Sequence, residues 1–138
     1  MLLGNRGVSV NDAAVAGAWV EWLRTMRWDF FATCTWEKPV APHHVVAAVI
    51  RWLQPLPAAY GTIGVQRGPH AAKVHAHVLI GGIGRHPLRE TLLRGSWIRA
   101  GHVNLVGYSP LKGGVEYLCR QADEIEIIGT PLPFRPRR

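Results

Sequence analysis

Lys73-Val74-His75-Ala76-His77-Val78-Leu79-Ile80 decides how this chain folds and where its chemistry is placed. β-Branched and large apolar residues dominate the stretch and Gly81-Gly82 ends it, so it reads as a β-strand. Residues two apart in a strand share a face, so His75 and His77 project side by side while Ala76 and Val78 point the other way. Two imidazoles on one rigid strand can share a divalent cation; the same spacing also occurs in hydrogen-bonded surface pairs. The surrounding sequence decides between them.

Upstream, Tyr60 to Arg67 reads as another strand and Gly68-Pro69-His70 as a turn, which makes a hairpin with the two histidines on its second strand. Before it, Pro42 suits the first turn of a helix whose buried stripe is Val45, Val46, Val49, Ile50 and Leu53, ended by Pro55 and Pro57. Trp28 to Trp36 alternates as a strand, with Phe30, Ala32 and Cys34 on an apolar face and Thr33 and Thr35 on the other. A first helix is expected from a Ser9 N-cap, with Asp12 three residues on, to about Arg27; Trp19, Trp22, Leu23 and Met26 lie on its apolar side.

Downstream, His86-Pro87 opens a helix carrying Leu88, Thr91 and Leu92, and Gly101 to Val106 reads as a strand. Ser109-Pro110 caps a last helix with Leu111, Val115, Leu118 and Cys119 inward, and Glu124 to Ile128 forms a short edge strand. The central β-α-β-β-α-β order is the ferredoxin-like (RRM-like) split pattern. It predicts an α+β fold, an antiparallel sheet of about four or five strands with helices on one face and a site on the open face. Residues 1–129 form a single domain, and 130–138 a basic, proline-rich tail.

The 138 residues are 48% hydrophobic and 18% charged, a globular balance, and carry a net charge of +7. All but three of the basic residues are arginine, the residue suited to planar, bidentate phosphate contacts, so a polyanionic partner is expected. Cys34 and Cys119 form no CxxC pair and read as small core residues in a reducing compartment. No signal-peptide run follows Met1 and no apolar stretch reaches transmembrane length, so a cytoplasmic protein without membrane contact is expected.

Three ordered stretches then become specific together: Phe30-Phe31-Ala32-Thr33-Cys34-Thr35-Trp36; Gln66-Arg67-Gly68 with Val74-His75-Ala76-His77-Val78-Leu79; and Gly113-Gly114-Val115-Glu116-Tyr117-Leu118-Cys119-Arg120. They resemble the motifs of HUH endonucleases, and are most similar to those of rolling-circle replication initiator (Rep) proteins of plasmids and phages. The resemblance spans roughly Trp28 to Ala122. It implies that His75 and His77 bind Mg²⁺ or Mn²⁺, with Gln66, where family members often carry Glu, completing the site. It also implies that Tyr117 is the nucleophile of a single-strand DNA nickase, forming a covalent 5′-phosphotyrosine intermediate; Arg120 or Lys112 can neutralise developing charge.

Two departures bear on this. The familiar Tyr-x-x-Lys is Tyr117-x-x-Arg120, and arginine cannot surrender a proton. Gln121, four residues after Tyr117, gives a spacing similar to single-tyrosine transposases, in which a helix Gln is the third ligand. A non-catalytic DNA-binding module on the same fold is the other alternative. For DNA contacts the candidates are Arg67, Lys73, Lys112 and the tail residues Arg135, Arg137 and Arg138. The expected partner is single-stranded or hairpin DNA, with unwinding and extension left to a host helicase and polymerase.

Overall fold

Alternation along one central strand separates the two faces of the sheet. In the computed structural model, which describes residues 8–9, 13–67, 74–97 and 101–130, β2 (Phe30–Trp36) buries Phe30, Ala32, Cys34 and Trp36 on one side. Phe31, Thr33 and Thr35 project from the other. The elements run β1 (Val8–Ser9), α1 (Ala13–Arg24), β2, α2 (Pro42–Leu53), β3 (Tyr60–Arg67), β4 (Val74–Gly81), α3 (Pro87–Ser96), β5 (Gly101–Gly107), α4 (Gly114–Gln121) and β6 (Glu124–Ile128). They build one six-stranded sheet in the order β1-β6-β3-β4-β2-β5, antiparallel at every pairing.

The β2-α2-β3-β4-α3-β5 segment is the split β-α-β-β-α-β unit, with its first and third strands side by side at the centre. Both helices of that unit pack on one face. Val45, Val49, Trp52 and Leu53 of α2 and Leu93 of α3 meet Phe30, Ala32, Ile63, Val65, Ala76 and Val78 of the sheet. The flanking helices use the other face. Leu23 of α1 and Val115, Leu118 and Cys119 of α4 cluster with Leu79, Ile125 and Ile127. This covers the second face on the β6–β3 side and leaves the β2–β5 side open, where His102, Asn104 and Val106 are exposed.

The sheet has six strands where the sequence predicts about four or five, and α1 and α4 cover part of the face expected to be open, because β1 and β6 extend the sheet beneath them; the remaining differences from the sequence expectation are local. Ser9 is not a helix cap: it pairs with Glu124 in β1, and α1 begins at Ala13. That pairing also places β6 inside the sheet, between β3 and β1, and not at its edge. Trp22 is exposed and packs edge-on against Trp19. In α3 only Leu93 is buried, and Leu88 and Leu92 face outward, one residue out of phase with the expectation. Three leucines in a ten-residue helix admit two phases, and the Trp52 indole, which donates to the Leu93 carbonyl at 2.9 Å, selects the phase that is seen. Leu111 is exposed because Pro110–Lys112 is a separate 3-10 turn, after which Gly113 adopts φ +70°. Helical periodicity therefore restarts at Gly114.

Cys34 and Cys119 are free and buried in the two cores, and burial pushes both thiols up, Cys119 to about 12 with Glu116 adding to the effect. No helix among the described residues is long and apolar enough to cross a membrane. The expected turn at 68–70, Lys73 and the tail lie outside the described residues.

Candidate active site

Strand register assembles the site on the half-open face. In the β3–β4 ladder Gln66 is opposite His75 and Gly64 is opposite His77; in the β2–β4 ladder Thr35 is opposite His75 and Thr33 opposite His77. β5 extends both rows, with His102 beside Thr35 and Asn104 beside Thr33. Two parallel rows result, Gln66–His75–Thr35–His102 and Gly64–His77–Thr33–Asn104. Cross-strand neighbours lie within about 5 Å at Cβ, so each row is a continuous strip of side chains except at Gly64, which has none.

Glycine brings α4 down onto these rows. A Cβ on Gly64 would lie 2.9 Å from Leu118, and one on Gly114 would lie 3.1 Å from the Phe31 ring. Helix and sheet touch where those side chains are missing. Tyr117 consequently hangs over His77, ring centroids 5.0 Å apart and planes at 82°. Phe31 stacks beside the same imidazole at 6.0 Å and 11°, and meets Tyr117 edge-on at 6.4 Å. The hydroxyl-bearing residue remains accessible, since Tyr117 is 40% exposed, whereas His77 is only 3% exposed.

His77 is held at both nitrogens. Its Nε2 lies 3.1 Å from Gln66 Oε1 and its Nδ1 lies 3.4 Å from Thr33 Oγ1. The Thr33 hydroxyl can donate to Nδ1 or accept from it, so it supports the ring whichever nitrogen carries the proton. Burial, with the neighbouring His75 adding to it, lowers the His77 pKa to about 4 and keeps the ring neutral. The Gln66 amide in turn donates from Nε2 to Gln121 Oε1 at 3.1 Å. His75 is half-buried and has no hydrogen-bond partner among the described residues.

These residues fit a divalent cation by chemistry and spacing. Nε2 of a neutral imidazole and an amide oxygen are both metal donors, and their 3.1 Å separation is what adjacent donors keep about one small cation bonded at about 2.1 Å. A cation here would take nitrogens from His77 and its strand neighbour His75 and an oxygen from Gln66, with Gln121 next in line behind Gln66. The set is uncharged: no group of three or more His, Cys, Asp or Glu side chains among the described residues is placed to hold a metal.

Around this centre the predicted residues divide. The Arg120 guanidinium lies 5.7 Å from the Tyr117 ring centre and Lys112 lines a pocket of about 240 Å³ together with Phe31, Thr33, Asn104 and Tyr117. Arg67 is not brought here. It shares strand parity with Val65, on the α2 side, and its guanidinium faces Glu124 at 3.4 Å. Lys73, Arg135, Arg137 and Arg138 lie outside the described residues. Sequence reasoning missed Thr33, Phe31, Asn104 and His102 as neighbours of the histidines. Their parity within β2 and β5 was visible, but no short turn ties those strands to β4, so their register was not. No protein-family model, curated protein or solved structure matches the chain.

Proposed function

We propose that this protein is a metal-dependent single-strand DNA nickase and strand transferase of the HUH endonuclease kind, similar to rolling-circle Rep initiators. One observation carries the reading: the accessible Tyr117 ring stands 5.0 Å from the buried imidazole of the His75/His77 pair. A phenol over one histidine of a pair, with an amide oxygen beside it, is suited to attack on a phosphodiester. The net charge of +7 suits a polyanionic substrate, and single-stranded or hairpin DNA in the cytoplasm is the partner proposed.

In this reaction the Tyr117 oxygen forms a bond to phosphorus and the bond from phosphorus to the 3′ oxygen breaks. The phenol proton leaves to solvent, the departing oxygen takes a proton from water, and the 5′ phosphate stays on the enzyme as a phosphodiester. Attack by a later 3′ hydroxyl runs the same step backwards and joins the strand. A cation bound by His75, His77 and Gln66 would polarise a non-bridging phosphate oxygen. Arg120 and Lys112 add positive charge near the transferring group as charge-stabilising residues. Thr33 and Phe31 fix the His77 ring.

The test is incubation with pooled single-stranded oligonucleotides and Mn²⁺, read as a mass-shifted band on a denaturing gel. A band that EDTA prevents and Tyr117→Phe lacks is expected. A band that persists in Tyr117→Phe would overturn the assignment.

The hydrogen bond from Gln66 to Gln121 favours a second reading. With a helix glutamine this close to the centre, a single-tyrosine transposase-like enzyme would use the same chemistry to move DNA. Gln121→Ala separates the two: a higher Mn²⁺ concentration needed for adduct formation places Gln121 among the ligands, and an unchanged requirement leaves Gln66 alone in that role.

A further inference from the structure

We propose that a second cavity, at the end of the sheet away from the histidines, holds a nucleotide of the same DNA strand whose phosphate is presented to Tyr117. This rests on the nickase reading above. The cleft opens between the C-terminal end of α1, the start of β2 and the turn before α4, and measures about 640 Å³. Cavities that take nucleotide-sized ligands run about 300–1,000 Å³. Its walls combine the flat or apolar surfaces of Met26, Trp28, Tyr108 and Pro110 with the guanidinium groups of Arg27 and Arg85.

The charges in the cleft do not cancel. Asp29 accepts hydrogen bonds from the backbone N–H groups of Ile83 and Gly84, both at 3.0 Å, and Glu116 is paired with Arg24. Glu116 is thus paired, while Asp29 keeps its negative charge because neutral N–H donors do not cancel it; Arg27 and Arg85 are in no ion pair among the described residues, and the three arginines and two acids of the lining leave one net positive charge. Two guanidinium groups free of ion pairs, in a lining with one net positive charge and beside aromatic and proline surfaces, suit a phosphate and a stacked base.

Arg85 is placed there by the fold. It reaches from the loop after β4 to donate to the Tyr108 carbonyl at 3.3 Å, and its guanidinium crosses the end of β5 where a Cβ on Gly107 would lie 1.8 Å from Nη2. Only a residue without a side chain leaves that path clear. Tyr108 is a wall shared with the pocket that contains Tyr117, and Glu116, which lines the cleft, is its neighbour in α4. A strand lying along the pocket from Tyr117 therefore reaches the cleft at Tyr108.

The test measures binding without cleavage. A short fluorescein-labelled single-stranded oligonucleotide is titrated in EDTA against the wild type, Arg27→Ala, Arg85→Ala, Gly107→Ala and, as a control on the opposite face, Arg51→Ala. We expect the first two variants to weaken binding about ten-fold each and to flatten the dependence of log K on log salt by roughly one. Gly107→Ala, which displaces Arg85 and leaves the charge count unchanged, should weaken binding as well, and Arg51→Ala should not. An oligonucleotide carrying 4-thiothymidine should photo-crosslink within residues 26–28 or 108–110. Wild-type affinity and salt dependence in both arginine variants, or crosslinks that avoid those segments, would overturn the cleft. If the wild type forms the metal-dependent adduct while the arginine variants bind normally, the cleft alone fails. If the wild type binds no single-stranded DNA, the nickase reading fails with it.

Discussion

The imidazole of His77 is clamped between the amide of Gln66 at Nε2 and the hydroxyl of Thr33 at Nδ1, while His75, two residues earlier on the same strand, has neither restraint. The two histidines are equivalent in sequence and unequal in structure. Both are proposed ligands, so His75→Ala and His77→Ala should each abolish metal-dependent adduct formation. Their stabilities should part. Removing the buried His77 ring leaves Phe31 and Tyr117 without the surface they lean on and should cost about 2–4 kcal/mol, while His75→Ala should stay within about 1 kcal/mol. Urea unfolding of both variants in EDTA checks this. Equal losses would mean that the clamp does not hold the site.

Gln66 gives the site its neutrality. A carboxylate in its place would add one negative charge at a donor position, and Ca²⁺ and Mg²⁺ sites are tuned largely by that count. Gln66→Glu should therefore tighten Mn²⁺ binding about ten-fold or more in calorimetric titration, and the gain should be lost when His75 is also replaced. Gln121 can flip its amide to donate where it now accepts, so the network survives the change. Unchanged Mn²⁺ affinity would remove Gln66 from the ligand set.

His77 also makes stability depend on pH. Its folded pKa is about 4 against 6.5 for a free imidazole, so between those values the unfolded chain binds more protons than the folded one. Stability contributed by keeping the ring neutral is complete above about pH 6.5 and is lost as the pH falls toward 4. Unfolding midpoints in EDTA should fall across that window in the wild type. They should fall less in His77→Gln. A wild-type profile that is flat from pH 6.5 to 4 would contradict the buried, neutral ring.

The sequence was most legible where one short turn or one proline controls an element. The strand bounds of β3 and the start of α2 at Pro42 fall where alternation and Pro42 place them, and the parity of His75 and His77 follows from a period of two that leaves no choice. That Gln66 faces the histidine pair was legible from its place at the end of β3, but its pairing with His75 in particular was not, since a turn expected at 68–70 does not set that register. What lay beyond sequence was anything set by packing between distant segments. The phase of α3 depends on Trp52, the neighbours Thr33 and Asn104 depend on ladders between strands far apart in the chain, and the restart of α4 depends on a left-handed Gly113. The cleft at Arg85 is of this second kind, since it joins the ends of α1, β4 and β5.

Gly64 is the position where packing and chemistry meet. It pairs with His77 in the β3–β4 ladder, its φ is not positive, and a methyl group there would come within 2.9 Å of Leu118 on α4 and 3.1 Å of Ala122, which caps that helix. Backbone strain is therefore no obstacle to Gly64→Ala, and overpacking is the only cost. Leu118 is fully buried and cannot turn away, so the helix itself has to move. That should destabilise the fold by about 1–3 kcal/mol. It should also lift Tyr117 and Gln121 away from the histidine pair together, because both ride on the same eight-residue helix. The expected signature is slower adduct formation at saturating DNA with little change in oligonucleotide affinity, since a displacement of about 1 Å at the nucleophile can cost a hundred-fold in rate. Gly64→Ala with wild-type adduct kinetics would show that the seat of α4 on β3 does not set the position of Tyr117.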